Sequence, residues 1–236
     1  MKEIKFHKPN IDNSELKNLK RVIKSGWLTT GAEVKKFEKE FLKIFKKKLF
    51  CTAINSCTSG LFLALKAIGI KKNDEVITSD LTFTSTVSSI YHTGAKPVIV
   101  DIEKDSLNMS IDEIKKKITK KTKCIIVVHY SGYPVDIEKI YKIAKKKNIK
   151  IIEDAAHCLP SRYKNDLIGE KYSDVSVFSF YATKTLTTGE GGMCLSKHKK
   201  IIDYIKTNSF HGIDRDVYNR YNQARNNWFY DVKSAG

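Results

Sequence analysis

The sequence lacks the features that mark membrane-spanning and secreted proteins. No apolar run approaches the ~18–20 residues of a membrane span, and residues 1–6 (MKEIKF) hold no apolar block of a signal peptide. There is no internal repeat and no low-complexity linker, and only 4 of the 236 residues are proline. With 41% hydrophobic residues the chain can bury a sizeable core. We therefore expect a globular cytoplasmic protein without a membrane partner.

Cysteine is also scarce, and its spacing argues against metal binding. The 5 cysteines form no C-x-x-C pair, and their number is odd. Most of them lie in apolar runs, which favours small buried side chains in a reducing compartment. The five cysteines are Cys51, Cys57, Cys124, Cys158 and Cys194. We expect no metal site.

Acidic residues are outnumbered, 26 against 43 lysines and arginines, for a net charge of +17. This excess could indicate a nucleic-acid surface. Clusters such as 115–117 and 145–147 are spread along the chain, however, and no aromatic-basic motif accompanies them. We therefore favour solvated helix faces and expect no nucleic-acid partner. The positive field could still attract an anionic small molecule.

The hydrophobic pattern predicts alternating strands and helices. Short apolar runs with β-branched residues predict strands, at 50–54, 75–78, 97–101, 124–128, 149–153 and 175–180. Apolar stripes at helical spacing predict helices, at 33–45, 61–68, 84–92, 111–118 and 136–147. This alternation is typical of an α/β fold in three layers, with a mainly parallel sheet covered by helices on both faces. Ligands of such sheets gather beyond the carboxyl ends of the strands.

One turn has the composition of a phosphate-binding site. Residues 55–60 (NSCTSG) precede a predicted helix, whose N-terminus offers free N–H groups and a favourable dipole. Thr58 and Ser59 add hydroxyl groups there, and Ser179, after a later strand, could contribute another. An ordinary helix cap is the alternative for this turn taken alone.

A lysine and an acid follow two of the predicted strands. Lys184 lies between an apolar run and a Thr/Gly-rich loop, and Asp154 ends another apolar run. A lysine that forms a Schiff base and an acid that faces a pyridinium nitrogen are both required by pyridoxal phosphate enzymes. Phe83 could stack on a planar cofactor or lie in the core, and His157 could touch the cofactor or lie in a loop. Lys184 could be a surface lysine and Asp154 a helix cap, but the order of these signals along the chain favours the cofactor.

From about Lys8 to Gly236 the chain resembles the DegT/DnrJ-type sugar aminotransferases, which are pyridoxal phosphate enzymes of the aspartate aminotransferase fold (fold type I). The motifs that carry the resemblance are 26–31 (GWLTTG), 55–59 (NSCTS), 74–77 (DEVI), 81–83 (LTF), 129–132 (HYSG), 153–157 (EDAAH) and 179–192 (SFYATKTLTTGEGG). The last two are highly specific in combination.

The resemblance implies a role for each matching residue. Lys184 would form the Schiff base, Asp154 would face the pyridine nitrogen, Phe83 would stack on the ring, and His157 would lie near its oxygen. The cofactor phosphate would be held by Thr58, Ser59 and Ser179. A loop bordering the active site, with a part in substrate binding, would be formed by Thr29, Thr30 and Gly31.

The activity implied is amino transfer, with L-glutamate as donor, to a keto carbon of a nucleotide-linked sugar. The HYSG form at 129–132 is slightly similar to relatives that act on 4-keto sugars, which favours C4 over C3. The product would be an amino sugar for a cell-surface polysaccharide, such as lipopolysaccharide, or for a natural product. A homodimer with a shared active site is expected for the full-length protein.

The family resemblance leaves other functions open. Relatives continue far beyond Gly236 with a small domain and an asparagine that reaches the partner subunit's cofactor phosphate. We therefore expect residues 1–236 to comprise an N-terminal segment and the large cofactor-binding domain, without the C-terminal small domain. An inactive or regulatory fragment is thus one alternative. A sugar dehydratase is another, but those relatives have histidine in place of the lysine, so Lys184 argues against it.

Overall fold

The computed structural model describes Lys5, residues 7–213 and residues 231–234. The polar and aromatic segment 211–236 lies mostly outside these described residues. Within them, no helix is long and apolar enough to cross a membrane.

Two helices precede the sheet. Helix α1 (Asn13–Lys24) begins with a capping box, in which Asp12 and Glu15 accept each other's backbone N–H groups. Helix α2 (Ala32–Leu42) follows, and Arg21 binds Glu33 through two hydrogen bonds of 2.7 and 2.8 Å. None of the residues of α1 is buried, whereas α2 packs against the sheet through Phe41.

Seven strands form one sheet. They are β1 (Phe50–Ile54), β2 (Glu75–Ser79), β3 (Lys96–Val100), β4 (Thr122–Val128), β5 (Lys150–Asp154), β8 (Val175–Ser179) and β9 (Gly192–Ser196). Their order is β1-β9-β8-β5-β4-β2-β3. Only β9 is antiparallel to its neighbours; the other six strands all run in one direction. A small separate hairpin is formed by β6 (Arg162–Tyr163) and β7 (Asp166–Leu167).

Helices cover both faces of the sheet, which confirms the predicted three-layer α/β fold. One face carries α3 (Cys57–Ala67), α4 (Thr84–His92) and α7 (Lys199–Asn208), packed on a core that includes Leu61, Ile126 and Val177. The other carries α2, α5 (Ile111–Lys117) and α6 (Ile137–Lys147). The predicted burial of cysteine is confirmed for Cys124, Cys158 and Cys194, whereas Cys51 and Cys57 are only partly buried.

The common direction of six strands brings their carboxyl ends to a single edge. This edge receives the turn before α3, the start of α4, a short 3₁₀ helix (Tyr130–Gly132), and the segments after β5 and β8. Strand β9 starts at the same edge, because Gly192 pairs with Ser179 at the end of β8 and with Ile54 at the end of β1. Most residues predicted to bind the cofactor therefore lie along one side of the sheet.

Candidate active site

Asp154 ends β5 and faces the α3–α4 side of the sheet. Its carboxylate is 6% exposed and accepts hydrogen bonds from Thr86 Oγ1 at 2.8 Å and Ala156 N at 3.3 Å. Burial raises the pKa of Asp154, and the bond from Thr86 opposes that rise. Among the described residues, no basic side chain forms an ion pair with it. A buried carboxylate without a cationic partner is costly, so this site suits a ligand with a protonated nitrogen.

Lys184 lies in the loop after β8, close to Asp154. Its Nζ contacts His157 Nε2 at 2.5 Å, and because an ammonium group can only donate, the imidazole nitrogen accepts. Burial lowers the pKa of Lys184, while negative charge at Cys57 or Asp154 would oppose the change. The pKa of His157 is also lowered, by burial first and then by the charge of Lys184. A lysine amine with a lowered pKa is a better nucleophile at neutral pH.

The loop that carries Lys184 is held by its own backbone and hydroxyl groups. Lys184 N donates to Tyr181 O at 2.9 Å, and Thr188 N donates to Phe180 O at 2.9 Å. Thr187 Oγ1 also donates to Phe180 O and accepts from Gly189 N. Gly189 has a φ of +81°, a conformation that favours glycine. The Thr/Gly-rich composition therefore forms a tight turn beside Lys184.

The turn before α3 is both a helix cap and a candidate phosphate site. Ser56 caps α3 by accepting from Ser59 N at 3.2 Å, and its Oγ lies 3.0 Å from Ser59 Oγ. Thr58 is exposed beside it. A Cβ on Gly192 would come within 2.9 Å of Cys57 N and 2.8 Å of Phe178 O. Glycine therefore lets β9 lie directly against the N-terminus of α3.

Phe83 and Ser179 complete the predicted cofactor set at this edge. Phe83 is the N-cap residue of α4 and is 77% exposed, so it does not lie in the core. Ser179, the last residue of β8, is half-buried and accepts from Tyr181 N at 3.3 Å. An exposed ring and a nearby hydroxyl at this edge are available to a ligand.

The loop before α2 is not joined to this group. Thr29 and Thr30 are exposed, Gly31 is the N-cap residue of α2, and Trp27 Nε1 donates to Thr30 O at 3.1 Å. In the part of the chain that the structure describes, no hydrogen bond connects them to Lys184 or Asp154. Their predicted role in substrate binding stays a prediction.

Sequence reasoning assigned no role to several residues that support this site. Thr86, three residues after Phe83, is fully buried and bonds both Asp154 and, at 2.7 Å, Thr82 Oγ1. Ser79, at the end of β2, is 1% exposed, and its Oγ has no hydrogen-bond partner among the described residues. The polar residues around Thr86 and Ser79 are the signal in the sequence that could have pointed to them. Asp154, the hydrogen-bond partner of Thr86, lies far from it in the sequence.

The sequence of the chain matches that of a known protein family. The sequence profile of the DegT/DnrJ/EryC1/StrS aminotransferase family matches residues 9–232. The chain therefore belongs to this family. The match includes every position assigned above to the candidate site.

Individual relatives give the same result. The chain is 44% identical over 229 residues to the uncharacterised protein MJ1066 of Methanocaldococcus jannaschii, covering 97% of the chain and 58% of the relative. It is 42% identical over 228 residues to SpsC, a spore coat polysaccharide biosynthesis protein of Bacillus subtilis, with the same coverages. The chain thus spans well under two thirds of the length of these relatives.

A solved structure shares the fold. Spr1654 of Streptococcus pneumoniae, assigned to the sugar aminotransferases and solved in its PMP form, superposes with a TM-score of 0.90 at 31% identity. The superposition covers 99% of this chain and 63% of that one. The same protein has also been solved in its PLP form.

Proposed function

We propose that this chain forms the cofactor-binding part of a pyridoxal phosphate-dependent sugar aminotransferase. Family membership and the fold of Spr1654 support this proposal. The observation that carries it is the pair formed by Lys184, whose pKa is lowered, and Asp154, which is buried and forms no ion pair with a basic side chain among the described residues. These are the two groups that this cofactor requires.

The remaining residues fit the same cofactor. The exposed ring of Phe83 is available to stack on a planar ligand. The N-terminus of α3, with Thr58 and Ser59, offers N–H and hydroxyl groups to a phosphate, and Ser179 adds a third hydroxyl. His157 accepts a hydrogen bond from Lys184 and so orients its amine.

When bound, pyridoxal phosphate supplies an electron sink for the carbon atom that loses a proton. Asp154 would hold the ring nitrogen protonated, because no cationic side chain among the described residues forms an ion pair with its buried carboxylate. Lys184 Nζ would attach the cofactor and would take up and return a proton as general base and acid. The lowered pKa of Lys184 favours the neutral amine that attachment and proton uptake need.

L-Glutamate is the proposed donor, and the acceptor is a keto carbon of a nucleotide-linked sugar, with C4 favoured over C3. The product would be an amino sugar of a cell-surface polysaccharide or a natural product, and the similarity to SpsC, a spore coat polysaccharide biosynthesis protein, supports the first. We further propose a cytoplasmic homodimer with a shared active site. The roles of Thr29, Thr30 and Gly31 at the substrate belong to this proposal.

Cofactor absorbance and amino transfer test this function together. The purified protein should bind pyridoxal phosphate with a visible absorption band and form 2-oxoglutarate from glutamate when a nucleotide-linked 4-keto sugar is supplied. Lys184→Ala and Lys184→Arg should lose both the band and turnover, because neither side chain can form the Schiff base. Lys200→Ala, at an exposed position of α7, should keep both. Normal turnover by Lys184→Ala would refute the assignment.

A further inference from the structure

Directly behind Asp154, on the opposite face of β5, lies a group of buried polar side chains that the proposed chemistry does not use. Glu153 is 1% exposed, and its Oε2 accepts from Ser173 Oγ at 2.7 Å and from Ser176 Oγ at 2.5 Å. His129 Nε2 lies 3.3 Å from its Oε1. We call Glu153, His129, Ser173 and Ser176 the buried glutamate cluster.

The hydrogen bonds define where the protons of this cluster lie. Val135 N donates to His129 Nδ1 at 3.2 Å, so the ring proton is on Nε2 and points to Glu153. Burial would raise the pKa of Glu153, but the bonds from His129, Ser176 and Ser173 outweigh it and hold the pKa below its usual value. Glu153 is therefore a buried anion stabilised by three donors.

The cluster is attached to Asp154 through the backbone. Glu153 and Asp154 are consecutive residues of β5, so their side chains lie on opposite faces. His129, which follows β4, donates its backbone N–H to Asp154 O at 3.4 Å while its ring contacts Glu153. His129 at the end of β4 is thus hydrogen-bonded to both Glu153 and Asp154 at the end of β5.

Stability alone does not account for such a cluster. Well-packed apolar side chains of the same volume stabilise a core at least as well as buried charges do. A second buried carboxylate, Glu170, offers a comparison: it is 3% exposed and accepts backbone N–H groups from Lys46 and Leu167, at 2.5 and 2.7 Å. That carboxylate joins two loops, whereas the carboxylate of Glu153 lies beside the proposed site.

We propose that Glu153 and His129 are positioning residues for Asp154, which fix the end of β5 and place a negative charge behind its carboxylate. This inference rests on the proposed role of Asp154 opposite the ring nitrogen. The added negative charge raises the affinity of Asp154 for a proton, so that a protonated nitrogen in contact with it is held more firmly.

Other groups around Asp154 act in the opposite direction or carry no charge. Thr86 on α4 and Ala156 N each donate a hydrogen bond to Asp154, and positive charge at His129 or at Lys184, in the loop after β8, lowers its pKa. The thiol group of the partly buried Cys57 on α3 has a pKa well above its usual value because of its burial, so it stays protonated.

The test measures Asp154 in the cofactor-free protein by carbon-13 NMR of its carboxyl group. Glu153→Gln keeps the size of the side chain and removes its charge, so the titration midpoint of Asp154 should fall by about one pH unit. The dissociation constant of pyridoxal phosphate, measured by fluorescence, should rise several-fold. Glu170→Gln is the matched control, which should change stability but neither readout.

Two further variants keep the test decisive if Glu153→Gln does not fold. His129→Leu removes the side-chain donor that joins Glu153 to the end of β4 and should weaken cofactor binding, whereas His129→Gln, which can still donate, should restore it. If the Glu153 and His129 variants leave the midpoint and the dissociation constant as Glu170→Gln does, the cluster is only structural. Failure of the unmodified protein to bind pyridoxal phosphate would refute the proposed function instead, while the midpoint would still decide this inference.

Discussion

Asp154→Asn should stabilise the cofactor-free protein at neutral pH, although it removes a residue of the proposed site. The Asp154 carboxylate is buried and has hydrogen bonds only from Thr86 Oγ1 and Ala156 N among the described residues. Asparagine has nearly the same shape and no charge. Its amide can donate to Thr86 Oγ1, which can then donate to Thr82 Oγ1, 2.7 Å away.

The size of the gain follows from the cost of the buried charge. Burial raises the pKa of Asp154 in the folded state, so the unfolded chain ionises first as the pH rises. Stability is therefore lost between the unfolded and folded pKa values and stays lost above them. Removing an incompletely compensated buried charge should add about 1–2 kcal/mol to the free energy of unfolding at pH 8. The gain should shrink as the pH falls through the folded pKa.

Urea unfolding of the cofactor-free protein in a pH series from pH 8 down to about 4, near the unfolded pKa of an aspartate, measures this gain. Glu153→Gln is the companion variant, because the pKa of Glu153 is held below its usual value. That group contributes stability above its unfolded pKa and loses it as the pH falls through the folded pKa, so Glu153→Gln should destabilise the protein at pH 8. A less stable Asp154→Asn at pH 8, or a gain that does not change with pH, would refute the reasoning. Pyridoxal phosphate should nevertheless bind Asp154→Asn more weakly.

Two further substitutions test the phosphate turn and the exposed ring. Gly192→Ala places a Cβ 2.9 Å from Cys57 N. It should lower the free energy of unfolding by about 1–3 kcal/mol and also weaken cofactor binding. The Cβ of Gly189→Ala meets open space, so this variant should lose only the ~1 kcal/mol that a positive φ costs. Equal losses in urea unfolding would contradict this account. Phe83→Ala should change stability by less than ~0.5 kcal/mol because the ring is 77% exposed, yet weaken pyridoxal phosphate binding ~2–10-fold in a fluorescence titration. A large stability loss with unchanged affinity would place the ring in the core.

The elements with a strong hydrophobic period could be predicted from the sequence. Helix α4 spans the predicted residues 84–92, and the apolar runs of β1, β4 and β5 became strands within a few residues of the predicted ends. Strand β9 was not predicted, because its sequence GMCLS starts with glycine and has little β-branched character. It forms a strand because it pairs with β1 on one side and with β8 on the other.

Some residues of the candidate site could likewise be predicted from the sequence, and others could not. Lys184, Asp154 and Phe83 could be named because each stands in a motif that combines a strand end with unusual residue types. Thr86 and Glu153 could not be given roles, since their partners are fixed by the order of strands rather than by nearby sequence. Thr86 contacts Asp154 across 68 positions of chain, and Glu153 contacts His129 across 24.

Strand β9, which runs antiparallel to both of its neighbours in the large sheet, has a consequence for how the chain folds during synthesis. Strand β1 is made first, but it pairs only with β9, the last strand of the sheet. At ~5–20 residues per second, about 7–28 s pass between the synthesis of β1 and that of its partner. The outer edge of β1 can be protected earlier, because Glu38 on the preceding helix α2 accepts a hydrogen bond from Ala53 N at 2.8 Å. Helix α2 can thus cover the first strand before β9 is made, and substitutions at Glu38 should increase aggregation of nascent chains more than they reduce the stability of the finished fold.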